Sequence, residues 1–541
     1  MFMKTSKKIL AAVLSLTMLL SLPFTAYAAD SSVSATDKGT AYKCLMNSLG
    51  FAVDKLIGAV ASVFPVPSEW ENADEVSTDG LMTGTDEFLT ESAEGARFAL
   101  GYDSRSIIEG FDVVGNTYVA GGIAFKKKIA TSVEDDLKVR TAAVSDSSGR
   151  GTSLFLTLDA YGLSLPDVRE IRSRLSSFAS QNNINSITVS VLHQHSAVDT
   201  LGMNGNIWEM ALINPFRVIA GKETNNGKNK AYMEYLYEKC VESAMSAVED
   251  MRTGEMYYGA ANQTPYLNDK RAPFVSDQSF NRFRFVPDDG SKETWLVSTE
   301  IHCVGNGVQG TVITADYPYY AEKEITETEN VNVLFYMGAQ QSTSQERNAD
   351  TVINYSEDMD RLEALKGFGA SIGRAIKEIK DEKEVSPLLN ITYKQIVLPV
   401  ENPVLLLGGK TGMFEAKIVR SGFGRYSVVT EIGYMEIGDD FAFAIIPGEL
   451  APEIAYGGCL QGESSWSGKN WDYPSLQEII NEKGKNRKLM VLDLANDQIG
   501  YIIPDNNYMP LLAEESDSLE LVSLGGHTAS AIVEAFYEVI K

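Results

Sequence analysis

Apolar and polar residues alternate along much of the chain with the two-residue period of strands, and other stretches carry the wider spacing of helices. Strand-type runs include TAAVSD, TSLFLTLDAYGL, SITVSVLHQHS, TWLVSTEIHCVG, VNVLFYMGA, FAFAIIPGEL and KLMVLDLANDQIGYIIP. Helical spacing falls near residues 166–181, 230–250, 358–378 and 528–540. From about Ala96 the two kinds take turns. That order predicts one large α/β (mixed α+β) domain over 96–541, with mixed sheets flanked by helices and a site at strand ends. Residues 381–435 break the rhythm with polar, β-rich sequence (ITYKQIVLPV, GRYSVVTEIGYMEIG), which reads as an antiparallel layer of the same domain. The stretch NGNIWEMALINPFRVIAGKETNNGKNKAYM is rich in Asn and Gly and reads as an inserted loop near a site mouth.

Residues 29–95 read as an accessory lead-in. Thr36 to about Val63 has helical spacing at Leu45, Leu49, Val53, Ile57 and Val60, and an acidic, loop-like stretch follows. Residues 1–28 have the form of a secretory signal. Lys4, Lys7 and Lys8 precede an apolar run from Ile9 to about Leu22, and Ala26-Tyr27-Ala28 supplies the small residues of a cleavage site. The run is short for a spanning helix. The chain is therefore expected to be secreted or held at the cell surface, and no later segment is expected to cross a bilayer.

Charge narrows the partners. The formal net charge of −26 repels phosphate backbones and anionic lipid, so nucleic acid is excluded as a partner. It leaves open a small-molecule or lipid substrate and a transient apolar contact with a membrane. Four widely spaced cysteines (Cys44, Cys240, Cys303, Cys459) form no C-x-x-C pair and imply no disulfide framework, although one or two bridges are compatible with them.

The chemistry concentrates around few residues. The chain has four histidines, and His193 and His195 share one parity with Ile187, Val189 and Val191. Alternation places them on one face at a strand's C-terminal end, where α/β sheets carry their sites. H-x-H alone fits either a metal site or a pair satisfied by neighbours. His302 closes a second strand-like run. Glu449 follows an apolar strand and a Pro-Gly turn; alone it also fits an acid opening a helix with Pro452 and Glu453. Tyr501 alone reads as a packing residue. Two imidazoles and a carboxylate from different strand ends match a catalytic zinc set with an open position for water. His527 precedes Thr528, a helix cap, and reads as structural. Ser342, Thr343 and Ser344 lack the G-x-S-x-G elbow of a serine nucleophile.

In this order the segments resemble the neutral/alkaline ceramidase family, over roughly residues 96–541. LHQHSAV resembles its T-H-T-H-S-G-P, EIHCVGNGV its H-P-T strand, and KRAPF its N-R-S-P. IIPGEL resembles its P-G-E-F, LANDQIGYIIP its L-A-N-x-Y-x-G-Y, and LGGHTASAIVEAF its closing G-P-H-T helix. The resemblance implies Zn2+ on His193, His302, Glu449 and Tyr501. It puts the second histidine at His195 and a substrate-binding arginine at Arg271. It implies hydrolysis of the amide of an N-acylated lipid, with His195 as base and Arg271 and Tyr501 steadying the oxyanion or a polar head group. Departures are plain. The family's N-x-G-D-x-S-P appears as GAQQSTSQERN (338–348), Ala197 and Val198 replace Gly and Pro, and Cys303 follows His302. The late active-site tyrosine falls on Leu519, before Glu520. The family's immunoglobulin-like C-terminal domain is not expected here, since the sequence runs only to the closing helix. The metal set is kept while the substrate surround changes. An amidase or esterase acting on another acylated amine or N-acyl amino acid is the first alternative. A non-enzymatic exported binding protein on a decayed hydrolase scaffold is the second.

Overall fold

Three parallel strand pairs, each joined through helical crossovers, organise the chain. The structure is a computed structural model and describes residues 40–67, 69–121, 128–308, 310–345, 361–510, 513, 516 and 519–541. The expected signal at 1–28 lies outside the described residues, as do positions 36–39 of the expected first helix. Helix α1 (Thr40–Val63) comes first, then strands β1 (Phe98–Ser106), β2 (Lys138–Ser145) and β3 (Thr152–Leu158). Helix α2 (Leu165–Gln181) crosses over to β4 (Ile184–Val191). Helices α3 (Ile207–Leu212), α4 (Asn214–Ile219) and α5 (Lys230–Glu249) lead to β5 (Arg252–Asn262), β6 (Ser279–Pro287) and β7 (Glu293–Thr299). Helix α6 (Asp316–Thr326) crosses to β8 (Val331–Met337), and α7 (Arg361–Lys377) precedes β9 (Lys383–Val385).

These strands form a nine-stranded sheet in the order β8-β7-β6-β5-β1-β2-β3-β4, with β9 beside β5. β3/β4 and β7/β8 are parallel pairs, the arrangement a helical crossover enforces. The second sheet holds β10 (Leu389–Pro399), β11 (Ile418–Gly422), β12 (Arg425–Ile437), β13 (Phe441–Ile445) and, after β14 (Glu449–Leu450), helices α9 (Pro452–Tyr456) and α10 (Leu476–Glu482), β15 (Lys488–Leu492). β16 (Tyr501–Ile502) and α11 (Thr528–Val539) close the chain. β10 and β12 pair antiparallel, as the 381–435 region predicts, and β13 and β15 pair parallel. A short helix missed in that region, α8 (Pro403–Lys410), is opened by Asn402, whose side chain accepts from the Val404 N–H.

Four layers result. Helices α2, α5, α6 and α7 cover the outer face of the large sheet. Its inner face packs on the second sheet through Leu100, Val144 and Phe283 against Ile391, Phe443 and Met490. Helices α10 and α11 cover the far side. Arg172 of α2 bonds Glu431 of β12 with both terminal nitrogens, at 3.0 and 2.6 Å, which ties the two sheets together in the dry interior. This is the single mixed α/β body that the alternation predicts.

Three expectations are corrected. β4 stops at Val191 and β7 at Thr299, so the histidines stand in loops and strand alternation does not orient them. The Asn- and Gly-rich insertion forms α3 and α4 as well as loop: IWEMAL carries good helix formers, and in NPFRVI the proline sits in the first turn, where a helix tolerates it. Ala41–Val63 is long and apolar enough to cross a membrane, against the expectation that no later segment is. It packs here by one side on α8, through Ile57, Val60, Ala61 and Phe64 against Leu407.

Candidate metal centre

In a flat sheet the C-terminal ends of β4 and β7 would lie on opposite rims, because an odd number of antiparallel pairings separates them. Neighbouring strands twist by about 20–25°. Over the six steps from β4 to β7 the rotation becomes roughly 120–150°, and the edge strands β4 and β8 come into contact. The loops after β4 and β7 therefore meet. The backbone N–H of His195 donates to the Cys303 carbonyl at 3.1 Å. His193 makes the turn, with a φ of +54°. Such a left-handed conformation costs a non-glycine residue on the order of 1 kcal/mol or more and persists where surroundings enforce it.

The second sheet delivers the carboxylate. Glu449 opens β14, which pairs in parallel with Tyr501 of β16. Its backbone N–H donates to Gly500 O at 3.1 Å, and the Leu450 N–H donates to Asp493 at 2.9 Å. His193, His195, His302 and Glu449 are all buried.

One ligand atom from each of the three imidazoles lies within 4.8 Å of the others. His193 Nε2 stands 3.4 Å from Glu449 Oε2, His302 Nε2 is 3.7 Å from the same oxygen, and His195 Nε2 is 2.9 Å from His302 Nε2. An ion with tetrahedral bonds of about 2.0–2.1 Å spaces its ligand atoms about 3.3–3.4 Å apart. His193 Nε2 and Glu449 Oε2 are buried and make no hydrogen bond. Atoms so placed are costly unless a cation sits between them, and the donor set fits one.

Outer contacts separate the imidazoles. His193 Nδ1 lies 2.6 Å from the Tyr161 carbonyl, and the Tyr161 ring stacks on it at 4.6 Å. The His302 ring donates to the Gln340 carbonyl. Each bond puts the ring proton on the far nitrogen and leaves Nε2 as a lone pair for a metal. His195 has no such anchor; its Nδ1 is buried without a hydrogen bond.

Burial sets the charge states. It pushes His193 down to about 4, against the pull of the Tyr161 carbonyl. His195 and His302 fall well below the usual range through burial, with the neighbouring imidazole and Lys270 adding to it. All three rings are neutral at pH 7, the ligating form. Burial lifts Glu449 to about 8, although Gln498 and the Tyr501 hydroxyl donate to it. A cation there would draw the carboxylate back to its ionised form.

The residues singled out from sequence are not all at the centre. His193, His195, His302 and Glu449 converge, and Tyr501 touches Glu449. Arg271 is buried and bonded to Glu520 at 2.8 Å and to the Asn507 carbonyl at 2.7 Å. The cations whose field reaches the imidazoles are Lys128, which acts on His195, and the neighbour of Arg271, Lys270, which acts on His195 and His302. Ser342 donates to Asp269, and His527 pairs with Glu401 near the surface. The four cysteines are free. Sequence reasoning missed Tyr161, Gln340, Gln498 and Lys270. Only Lys270, beside Arg271, and Tyr161, just past β3, carried any positional signal.

A cavity of about 110 Å³ adjoins the centre. Glu449 and Tyr501 stand in its wall, and Leu201, Leu405, Phe414 and Leu524 make much of it apolar.

No protein-family model matches the chain, and no curated protein matches it in sequence. Solved structures share its fold. The neutral ceramidase from Pseudomonas aeruginosa aligns with a TM-score of 0.63 at 12% identity, over 82% of this chain and 74% of that one. A ceramidase complexed with C2 aligns with a TM-score of 0.60 at 12% identity, over 82% and 75%.

Proposed function

We propose that this chain is an exported, zinc-dependent hydrolase that cleaves the amide of an N-acylated compound with an apolar acyl chain, ceramide-like in class. The observation that carries the reading is the meeting of three neutral imidazoles and one carboxylate, with orphaned atoms facing each other, beside an apolar cavity. His193, His302 and Glu449 would hold the ion, a donor set suited to zinc. When bound, the ion supplies Lewis-acid activation of a water and of the amide carbonyl.

The chain's own residues do the rest. His195 has no backbone anchor and is free to take the water's proton on a ring nitrogen and return it to the departing amine. Tyr501 holds Glu449 in place and offers its hydroxyl to the developing oxyanion. Leu201, Leu405, Phe414 and Leu524 seat the acyl chain and exclude water. Arg271 ties Glu520 and Asn507 together and so holds the segment that leads to Val522 and Leu524 in the cavity wall. The N-terminal signal read in the sequence supports export. The fold shared with two ceramidases supports the substrate class.

A panel of acyl amides tests the proposal: a ceramide, an N-acyl amino acid and a short-chain acyl amide, each with and without added zinc. Zinc-dependent release of fatty acid, fastest from the ceramide, is the expected result. Preference for the N-acyl amino acid would move the substrate class. No hydrolysis of any of them by the zinc-loaded protein would refute the reading.

A further inference from the structure

Two helical surfaces at the cavity rim leave large apolar side chains in solvent. On α1, one side is sealed against α8, and the helix is pinned along its length. The Trp466 Nε1–H donates to Asn47 at 2.8 Å, and Lys410 Nζ donates to the Ala61 carbonyl at 3.2 Å. Leu45, Leu49, Phe51 and Leu56 nevertheless stay in solvent along α1, with Phe51 64% exposed. On the α3–α4 pair, Ile213, Phe216 and Ile219 are exposed, Phe216 by 55%.

Both surfaces are attached to the cavity wall. α1 packs on α8, which carries Leu405. α3 follows directly on Leu201 and Met203, and the segment after α4 returns to that wall, where Asn226 donates to Glu415 at 3.3 Å. Both also stand out by charge. α1 carries Lys43, Asp54 and Lys55, a net of +1, and Glu209 and Arg217 cancel on α3–α4, on a chain of −26. A rim of near-zero net charge with exposed apolar side chains, on an acidic body, suits a surface that is apolar beneath and neutral in charge. Helices with Leu and Phe on one side lie in the plane of such an interface.

We propose that the outward faces of α1 and α3–α4 dock on a zwitterionic lipid membrane and set the cavity mouth against it. This rests on the proposed function for what the cavity draws from the lipid, but the docking itself needs no turnover.

Flotation of the full chain with phosphatidylcholine vesicles tests it, alongside hydrolysis of a soluble short-chain acyl amide. The wild type should bind, with affinity changing less than about twofold between low and high salt. Phe51→Glu with Phe216→Glu should weaken binding by at least about tenfold and leave short-chain hydrolysis unchanged. Met245→Glu, at an exposed position on α5 outside the cavity wall, should bind as wild type. No binding by the wild type overturns the proposal, as does equal binding by the double variant. So does a wild-type dimer that the double variant breaks while vesicle binding stays the same. Vesicle binding without any hydrolysis would instead count against the catalytic reading alone.

Discussion

His193→Ala gives the sharpest test of the metal centre. The facing pair His193 Nε2 and Glu449 Oε2, 3.4 Å apart, has no hydrogen bond on either atom. Each such buried atom costs about 1–3 kcal/mol, so a shared cation recovers roughly 2–6 kcal/mol of folding free energy at this pair alone. A well-formed zinc site binds with about 10–16 kcal/mol. Divided over four coordination positions, one donor is worth about 3 kcal/mol, which is about two orders of magnitude in Kd. The assay is metal analysis after dialysis at fixed free zinc, with thermal melting in parallel and far-UV circular dichroism as the check on folding. Wild type should carry one zinc per chain and melt higher when loaded. The variant should need about a hundredfold more free zinc for half-loading. The reasoning fails if the wild type takes up no zinc, or if the folded variant holds it as tightly as the wild type.

Three further outcomes follow from particular contacts. His195→Ala should keep zinc at wild-type stoichiometry while turnover falls about 10²–10⁴-fold; loss of metal in step with activity would make His195 a ligand. Arg172→Met strands Glu431 in the interior and should cost about 3–5 kcal/mol in urea unfolding. Adding Glu431→Leu should restore most of it, and a single variant as stable as wild type would show that the pair does not tie the sheets. Burial raises the Asp316 carboxyl to about 6, with the Tyr317 N–H acting against it. A raised acid contributes stability that is complete below its unfolded value near 4 and is lost as pH rises through 6. Asp316→Asn should therefore flatten the fall in stability between about pH 4 and 6, and an unchanged slope would refute the assignment.

Much of the fold was legible because burial on both faces leaves a mark in sequence. FAFAI of β13 and KLMVL of β15 are near-continuous apolar runs, as strands buried on both sides should be. SLPDV announces α2 through Ser164 and Asp167, whose carboxylate accepts the Ser164 N–H at 2.8 Å. α8 escaped because PVLLLGGK has two glycines in its last turn and is only eight residues long. The amphipathic spacing of α1 was visible; that Leu45 and Leu49 within it stay exposed was not, because spacing does not say which neighbours exist.

The centre divides along the same line. Its side chains could be found because a metal demands rare residue types, and a chain with four histidines has few ways to supply them. Their geometry could not be found. Parity along SITVSVLHQHS put His193 and His195 together for the wrong reason. The strand ends at Val191, and the left-handed turn at His193 breaks the alternation that parity assumes. What aims the rings is a pair of backbone carbonyls, on Tyr161 and Gln340, and any residue supplies a carbonyl. Substitution in the GAQQ segment, which departs most from the resembled pattern, can therefore leave the grip on His302 intact. On the proposed reading, the first contact of the metal would depend on side-chain identity, and the second only on the path of the main chain.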